Sequence, residues 1–151
     1  DARTFEAAAA LRSWGANANL AEKALCIDYT DFVIENHLIN LAQWVFSRYM
    51  VVCIDGQPVE KTMLAKVAQA LWLIKVCDAS FVIACLENKE KVTAVSARST
   101  GAYNVQKIME KLNGGGHFTA AAVERTDLDP QKCKEKLIQL LEEEEHESNP
   151  A

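Results

Sequence analysis

The segment Ser80–Leu86 (Ser-Phe-Val-Ile-Ala-Cys-Leu) is apolar along both of its faces. A strand of that kind reads as a central strand of a sheet with both faces covered. The polar Glu87–Lys91 stretch that follows has hairpin length, and Val92–Arg98 reads as the returning strand. Upstream, Tyr49–Ile54 is β-branched and aromatic and stops at the turn signal Asp55-Gly56-Gln57-Pro58. Between these strands, Lys61–Val76 is apolar nearly all round, the pattern of a buried helix. Tyr103–Leu112 places Val105, Ile108, Met109 and Leu112 at helical spacing, and Asn113-Gly114-Gly115-Gly116 stops it. Ala121–Arg125 fits a short strand. Pro130 opens a last helix with the stripe Cys133, Leu137, Leu140 and Leu141. Strands alternating with helices, plus one hairpin, predict an α/β domain with a mixed β-sheet of about four to five strands covered by helices.

This domain spans 44–141. A helical N-terminal lead-in, 1–43, precedes it. There an alanine-rich run from Arg3 to Arg12 ends near Gly15, a second helix covers Leu20–Cys26, and Thr30 or Asp31 caps a third that reaches about Gln43. Residues 142–151 form an acidic tail that is expected to fray. Half of the 151 residues are hydrophobic, enough for a core at this length. The 16 basic and 21 acidic residues leave a net charge of −5, which argues against a coat for a long polyanion. It leaves room for a small site for one or two phosphates. The chain opens on Asp1 rather than methionine, as a processed chain or a cloned fragment would. No apolar run reaches about 18 residues and no signal-peptide pattern is present, so the chain reads as cytoplasmic without membrane contact. Cys26, Cys53, Cys77, Cys85 and Cys133 form no C-x-x-C pair and read as buried, reduced thiols.

Candidate chemistry gathers in Ser96–Thr119. Alternation puts Ala94, Ser96 and Arg98 on one strand face, so Arg98 leaves the end of an otherwise apolar strand. Its guanidinium suits a bidentate phosphate or carboxylate contact. The helix that follows offers free N–H groups in its first turn, where Asn104 sits. Taken alone, Arg98 and Asn104 would read as a surface arginine and a helix-start residue; together with their neighbours they favour a site. Gly114, Gly115 and Gly116 exceed what a helix cap requires, and such a loop can form an anion nest, with His117 adding a chargeable donor. The bland alternative is a cap followed by a flexible loop. The run is neither a Walker loop nor a dinucleotide fingerprint. His37 and His146 read as helix-surface histidines, Asp28 and Asp31 as helix-start charges, and Trp72 as core. No carboxylate–histidine cluster for a divalent metal and no nucleophile beside a base is visible. The residues describe a binding module with a phosphate-friendly pocket and no catalytic residues.

Val95-Ser96-Ala97-Arg98-Ser99, Asn104-Val105-Gln106, Ile108–Leu112, Gly114-Gly115-Gly116-His117 and Ala121-Ala122 together resemble the C-terminal, DHH-associated domain of DHH-family phosphoesterases. Within that family they are most similar to the membrane-anchored bacterial cyclic-di-AMP phosphodiesterases. Arg3–Ala8, Leu11-Arg12 and Gly15-Ala16 resemble the close of the preceding DHH catalytic domain, so the likeness runs from Arg3 to about Leu141. It implies a parent enzyme anchored to the cell membrane, whose DHH domain holds two manganese ions and hydrolyses cyclic-di-AMP to a linear dinucleotide. This chain would be its substrate-binding domain, inactive alone and holding no metal or cofactor itself. Arg98, Asn104, Gly114, Gly115, Gly116 and His117 would touch the substrate, and the DHH domain of the same parent chain would be its partner. The short-RNA-binding module of a nanoRNase or RecJ-like exonuclease of the same family is the alternative. A structural or oligomerising domain is a third reading. Two features depart from the family pattern. The Asp-His-His and other metal motifs are missing, and Asn113 stands where a fourth glycine is usual, which implies a small shift of the loop.

Overall fold

The computed structural model describes residues 1–148. The chain divides into two compact units, Asp1–Val33 and Ile34–Ala151. In the first, α1 (Ala2–Ser13) is capped by the Asp1 carboxylate, which accepts from the Thr4 N–H at 3.2 Å. Gly15, at φ +93°, turns the chain after it, a conformation that favours glycine. Asn17 caps α2 (Ala18–Ala24) by accepting from Asn19 N–H at 3.0 Å. Neither helix buries a residue.

Helix α3 (Tyr29–Ile39) is capped by Asp28, whose Oδ1 accepts from Thr30 N–H at 2.7 Å, rather than by Thr30 or Asp31. It ends four residues before Gln43, because Gln43 opens strand β1 (Gln43–Val45). Among the described residues, β1 joins β2 (Tyr49–Val59), β3 (Ala79–Leu86), β4 (Thr93–Ser99), β5 (Gly115–His117) and β6 (Ala120–Arg125) in one sheet of order β1-β2-β3-β4-β6-β5. Only β2 and β3 run parallel, so the sheet is mixed. It has six strands rather than four to five; the extra ones, β1 and β5, are three residues long and too short to show a period.

The crossover from β2 to β3 is α4 (Lys61–Trp72). It stops before Val76, which takes φ +68° in an exposed turn. Met63, Leu64, Val67, Ala68 and Leu71 of α4 pack on Met50, Val52, Ile54, Val82 and Ala84, and the Ser80 hydroxyl donates to Ala68 O at 2.7 Å. On the opposite face, α5 (Val105–Lys111) and α6 (Pro130–Ser148) cover Val51, Phe81, Ile83, Val95 and Ala97. Covered faces on both sides are what the apolar β3 requires, and all of its residues but Cys85 are buried. The expected fraying of Glu142–Glu145 does not occur. These residues are helical, with Glu144 paired to Lys111 at 2.7 Å and Glu145 accepting from Tyr49 Oη at 2.6 Å and Arg48 at 2.9 Å. Residues 149–151 of that tail lie outside the described residues.

Candidate functional site

Helix α4 lies mainly over β2, β3 and β4, and its Lys61 reaches Glu124 of β6. Beyond its edge, the same face of the sheet stays open across β6 and β5. The register fixes what lies there: Arg98 pairs with Ala120, which pairs with His117, and Ser96 pairs with Ala122, which pairs with Gly115. Directly paired residues share a face, so Arg98 and His117 sit on one face two strands apart, about 10 Å between backbones. Ala122 and His117 are exposed, and Ala121 and Val123 between them point into the core on the other side. The result is a shelf floored by small side chains, with α4 as one wall.

Arg98 is half-buried at the foot of that wall. Its Nη1 donates to Ala97 O at 2.9 Å, and among the described residues no carboxylate meets it. Burial lowers its pKa from the ordinary arginine value, yet a guanidinium stays charged at any working pH. Arg98 also separates two cavities along α4. One, of about 120 Å³, is bounded by Leu64, Ala65, Ser96 and Ala122. The other, of about 270 Å³, is bounded by Gln69, Trp72, Thr100 and Thr119. At the far end Glu124 is held by Lys61 at 2.7 Å and by Lys89, and these lysines lower its pKa.

The glycines do not form an anion nest. Gly115–His117 is a short edge strand paired with β6. A Cβ on Gly114 would stand 2.5 Å from Val123 Cβ, and one on Gly116 would stand 2.5 Å from Ala121 Cα, so the close approach these two permit is to the chain's own strand β6. Gly115 is different: a Cβ there would meet nothing within 4 Å. Asn113 stands in the left-handed turn that precedes the three glycines. It takes φ +65°, which asparagine tolerates, while its N–H donates to Glu110 O at 2.9 Å and Gly114 N–H donates to Met109 O at 2.7 Å. That is a Schellman ending for α5. Arg125 completes it by donating to Leu112 O at 2.7 Å.

Asn104 is the N-cap of α5, accepting from Gln106 N–H at 3.1 Å, and Val105 N–H donates to Phe118 O at 3.1 Å. Two donors of the expected first-turn anion site are therefore used within the chain, and Asn104 does not line either cavity. Arg98 is thus the one sequence-selected residue on the cavity walls, with Gly115 and His117 on the adjoining shelf. Trp72, expected in the core, is half-buried on the cavity wall, and its Nε1 is buried without an acceptor. Gln69 and Trp72 were missed by core periodicity. The signal was present in Lys61, Ala65, Gln69 and Trp72, a stripe at i, i+4, i+8 and i+11 beside the buried one.

His37 and His146 are exposed on helices as expected. Cys77 and Cys133 are buried and Cys53 and Cys85 half-buried, but Cys26, just past the end of α2, is exposed, contrary to expectation. Burial pushes the Cys133 thiol up to about 11, away from thiolate reactivity. Among the described residues, no three of His, Cys, Asp and Glu come together as a metal set. No described helix is long and apolar enough to cross a membrane.

Fold and geometry define a three-layer α/β/α domain with an open, arginine-bearing groove at one end of its sheet. The DHHA1 domain model matches residues 46–147, more than half of the chain, and the chain belongs to that family. It is 34% identical over 142 residues to the cyclic-di-AMP phosphodiesterase PdeA of Listeria monocytogenes, covering 93% of this chain and 21% of that protein. It is 31% identical over 144 residues to the cyclic-di-AMP phosphodiesterase GdpP of Bacillus subtilis, covering 93% of this chain and 22% of the relative. A 72-residue match at 36% identity, 48% of this chain and 22% of the relative, links it to the bifunctional oligoribonuclease and PAP phosphatase NrnA of Thermus thermophilus. The chain spans about a fifth of the length of these relatives. The fold recurs in an exopolyphosphatase-related protein of Bacteroides fragilis, with TM-score 0.71 and 15% identity over 93% of this chain and 44% of that one.

Proposed function

We propose that this chain is the substrate-binding domain of a manganese-dependent phosphodiesterase that hydrolyses cyclic-di-AMP to a linear dinucleotide. The supporting observation is Arg98: a half-buried, permanently charged donor fork with no carboxylate partner, at the edge of an open groove. Holding such a charge partly desolvated and unpaired is costly unless an anion completes it. A phosphate of the substrate meets Arg98, and the shelf of Ser96, Ala122 and Gly115 lets the nucleotide lie close to the backbone. His117, exposed on the same face, stands where it can reach a second phosphate oxygen. The residues present do not fit manganese, since no ligand cluster gathers among those described. Its ligands belong to the DHH domain that residues 1–43 would close in the parent. The exposed apolar side chains of that lead-in (Phe5, Trp14 and Leu25 among them) suit burial against such a neighbour.

The likeness to an oligoribonuclease over half of the chain supports a second reading, a short-RNA module. A net charge of −5 weighs against a long phosphate track, though not against two or three nucleotides. Titrating the 151-residue chain with cyclic-di-AMP, linear diadenylate and a short RNA separates the readings. Cyclic-di-AMP or the linear dinucleotide binds, with chemical-shift changes at Arg98 and Gly115–His117. Binding that Arg98→Ala leaves untouched refutes the assignment.

A further inference from the structure

The shelf has two ends, and they are charged differently. Arg98 stands at one. Along β6 the open face carries Ala120, Ala122 and then Glu124, the first long side chain on that strip. Arg98 pairs with Ala120 and Ala94 with Glu124, so the two charged positions lie four residues, or about 14 Å, apart along the strands. Both also line the smaller cavity, with Ser96 and Ala122 between them. Two separate elements bring ammonium groups to Glu124: Lys61 from the first turn of α4, at 2.7 Å, and Lys89 from the loop between β3 and β4. Glu60 and Glu87 border the same lysines on the far side, and neither is paired with them among the described residues. Without the Glu124 carboxylate, this end of the shelf would present two ammonium groups to an approaching phosphate.

We propose that Glu124 is a length stop: it occupies the place where a third phosphate of an oligonucleotide laid from Arg98 would meet Lys61 and Lys89, and so confines the shelf to two nucleotide units. The inference rests on the phosphate reading of Arg98 given above. A strand lying along the shelf passes Ser96 and Ala122, where the floor is small and uncharged, and reaches the lysines after about 14 Å. There it meets a negative charge already seated between the two cations. The carboxylate is tethered to β6 and cannot leave, so a phosphate arriving there stands beside a like charge. On an unobstructed basic track each added phosphate releases counterions and raises affinity. Here the third one brings no such gain.

The test uses the 151-residue chain and 5′-phosphorylated di-, tri- and tetra-adenylates, which carry two, three and four phosphates, titrated over a range of salt concentrations. In the wild-type chain the three probes bind with the same affinity and the same salt slope. Glu124→Gln, an isosteric change at an exposed position, binds the two longer probes roughly fivefold more tightly, the size of one exposed ion pair. Its salt slope for them steepens by about 0.7, the value of one further phosphate held on a single strand. The dinucleotide binds this variant as it binds wild type, because the altered charge lies beyond a Debye length of about 8 Å at physiological salt. Adding Lys61→Gln and Lys89→Gln to Glu124→Gln removes the gain. A wild-type chain whose affinity and salt slope climb from two phosphates to four, or a Glu124→Gln chain with the length preference of wild type, overturns the length stop; the phosphate site still stands if Arg98→Ala abolishes dinucleotide binding. Binding of none, or binding that Arg98→Ala spares, overturns both.

Discussion

The three consecutive glycines allow a graded test, because the same substitution meets three different environments. Alanine at 114 places a methyl 2.5 Å from Val123 Cβ and 2.9 Å from its Cα, on a strand whose side chain is 3% exposed and fixed in the core. Backbone of β6 has to yield, and overpacking of this kind costs about 1–3 kcal/mol. At 116 the methyl stands 2.5 Å from Ala121 Cα, and φ is +150°, so backbone strain raises the cost to about 2–6 kcal/mol. At 115 there is no atom within 4 Å and φ is not in the left-handed range. Alanine there restricts the unfolded chain and stabilises by about 0.4–1 kcal/mol. At this length 1 kcal/mol moves Tm by about 2–4 °C. Urea and thermal melts followed by circular dichroism thus rank Gly116→Ala lowest, Gly114→Ala next, and Gly115→Ala at or slightly above wild type. Binding inverts the order for Gly115. Its register partner Ala122 faces the open shelf, so the added methyl stands in the space proposed for the nucleotide and weakens binding in a well-folded protein. A Gly115→Ala variant that melts as low as Gly114→Ala, or one that melts normally and binds at full strength, refutes the reasoning.

Arg98→Ala lowers nucleotide affinity about 10- to 150-fold, the value of a charge-assisted hydrogen-bond pair, with little change in Tm; calorimetric titration beside a melt checks both. Asn104→Ala removes the α5 cap and costs about 0.5–2 kcal/mol in a urea melt, with a smaller effect on binding than Arg98→Ala. Glu145→Ala leaves the Tyr49 hydroxyl, on a fully buried residue, without its acceptor and costs about 1–3 kcal/mol, read the same way. Glu124 has its pKa lowered by Lys61 and Lys89, so its contribution is present above the ordinary carboxylate value of about 4.3 and is lost as pH falls through the lower folded value; Glu124→Gln flattens stability against pH in that acid window only. In a full-length protein that restores the manganese phosphodiesterase domain proposed above, His117→Ala lowers kcat and Arg98→Ala raises KM, with manganese content unchanged in both by metal analysis.

Legibility in the sequence followed the range of the forces involved. The long elements were readable because burial repeats along them: β3 by its unbroken apolar run, α5 by Val105, Ile108 and Met109, α6 by Cys133, Leu137 and Leu141. The strands that escaped notice, β1 and β5, exist through pairing alone; Gly115–His117 has no β-forming side chain, and its order comes from Ala120–Ala122. The far end of α6 reads as a solvated acidic run, and only the tertiary fold shows that Arg48, Tyr49 and Lys111 await those carboxylates. Arg98 was found from strand alternation, which is a local rule. Trp72 was not, because its side of α4 faces a gap, and gaps leave no periodicity.

The groove follows from the topology. A helix with its side chains is about 10–12 Å across, and neighbouring strands stand about 4.8 Å apart, so a single crossover helix can roof about three strands. Here α4 roofs β2, β3 and β4, and within the second unit no other described helix packs on that face over β6 and β5. Large apolar residues there would have formed an exposed patch prone to association. The chain instead presents Ala120, Ala122, Gly115 and His117, small or polar groups that tolerate water and also tolerate a ligand laid against the backbone. On the other face, where α5 and α6 reach all the way across, the same two strands carry Ala121 and Val123 into the core. One face of β6 thus serves stability and the other is left free, and Arg98 stands at the line between the roofed and the open parts, where a charge can be half-buried yet still reach an anion. Substitutions on the core face should therefore lower Tm and leave relative affinities unchanged, whereas substitutions on the open face should do the reverse. Ala122→Leu is the sharpest case: it fills the shelf between Ser96 and Gly115, blocks the nucleotide, and leaves the melt close to wild type, whereas a large loss of Tm would mean that the shelf is packed rather than open.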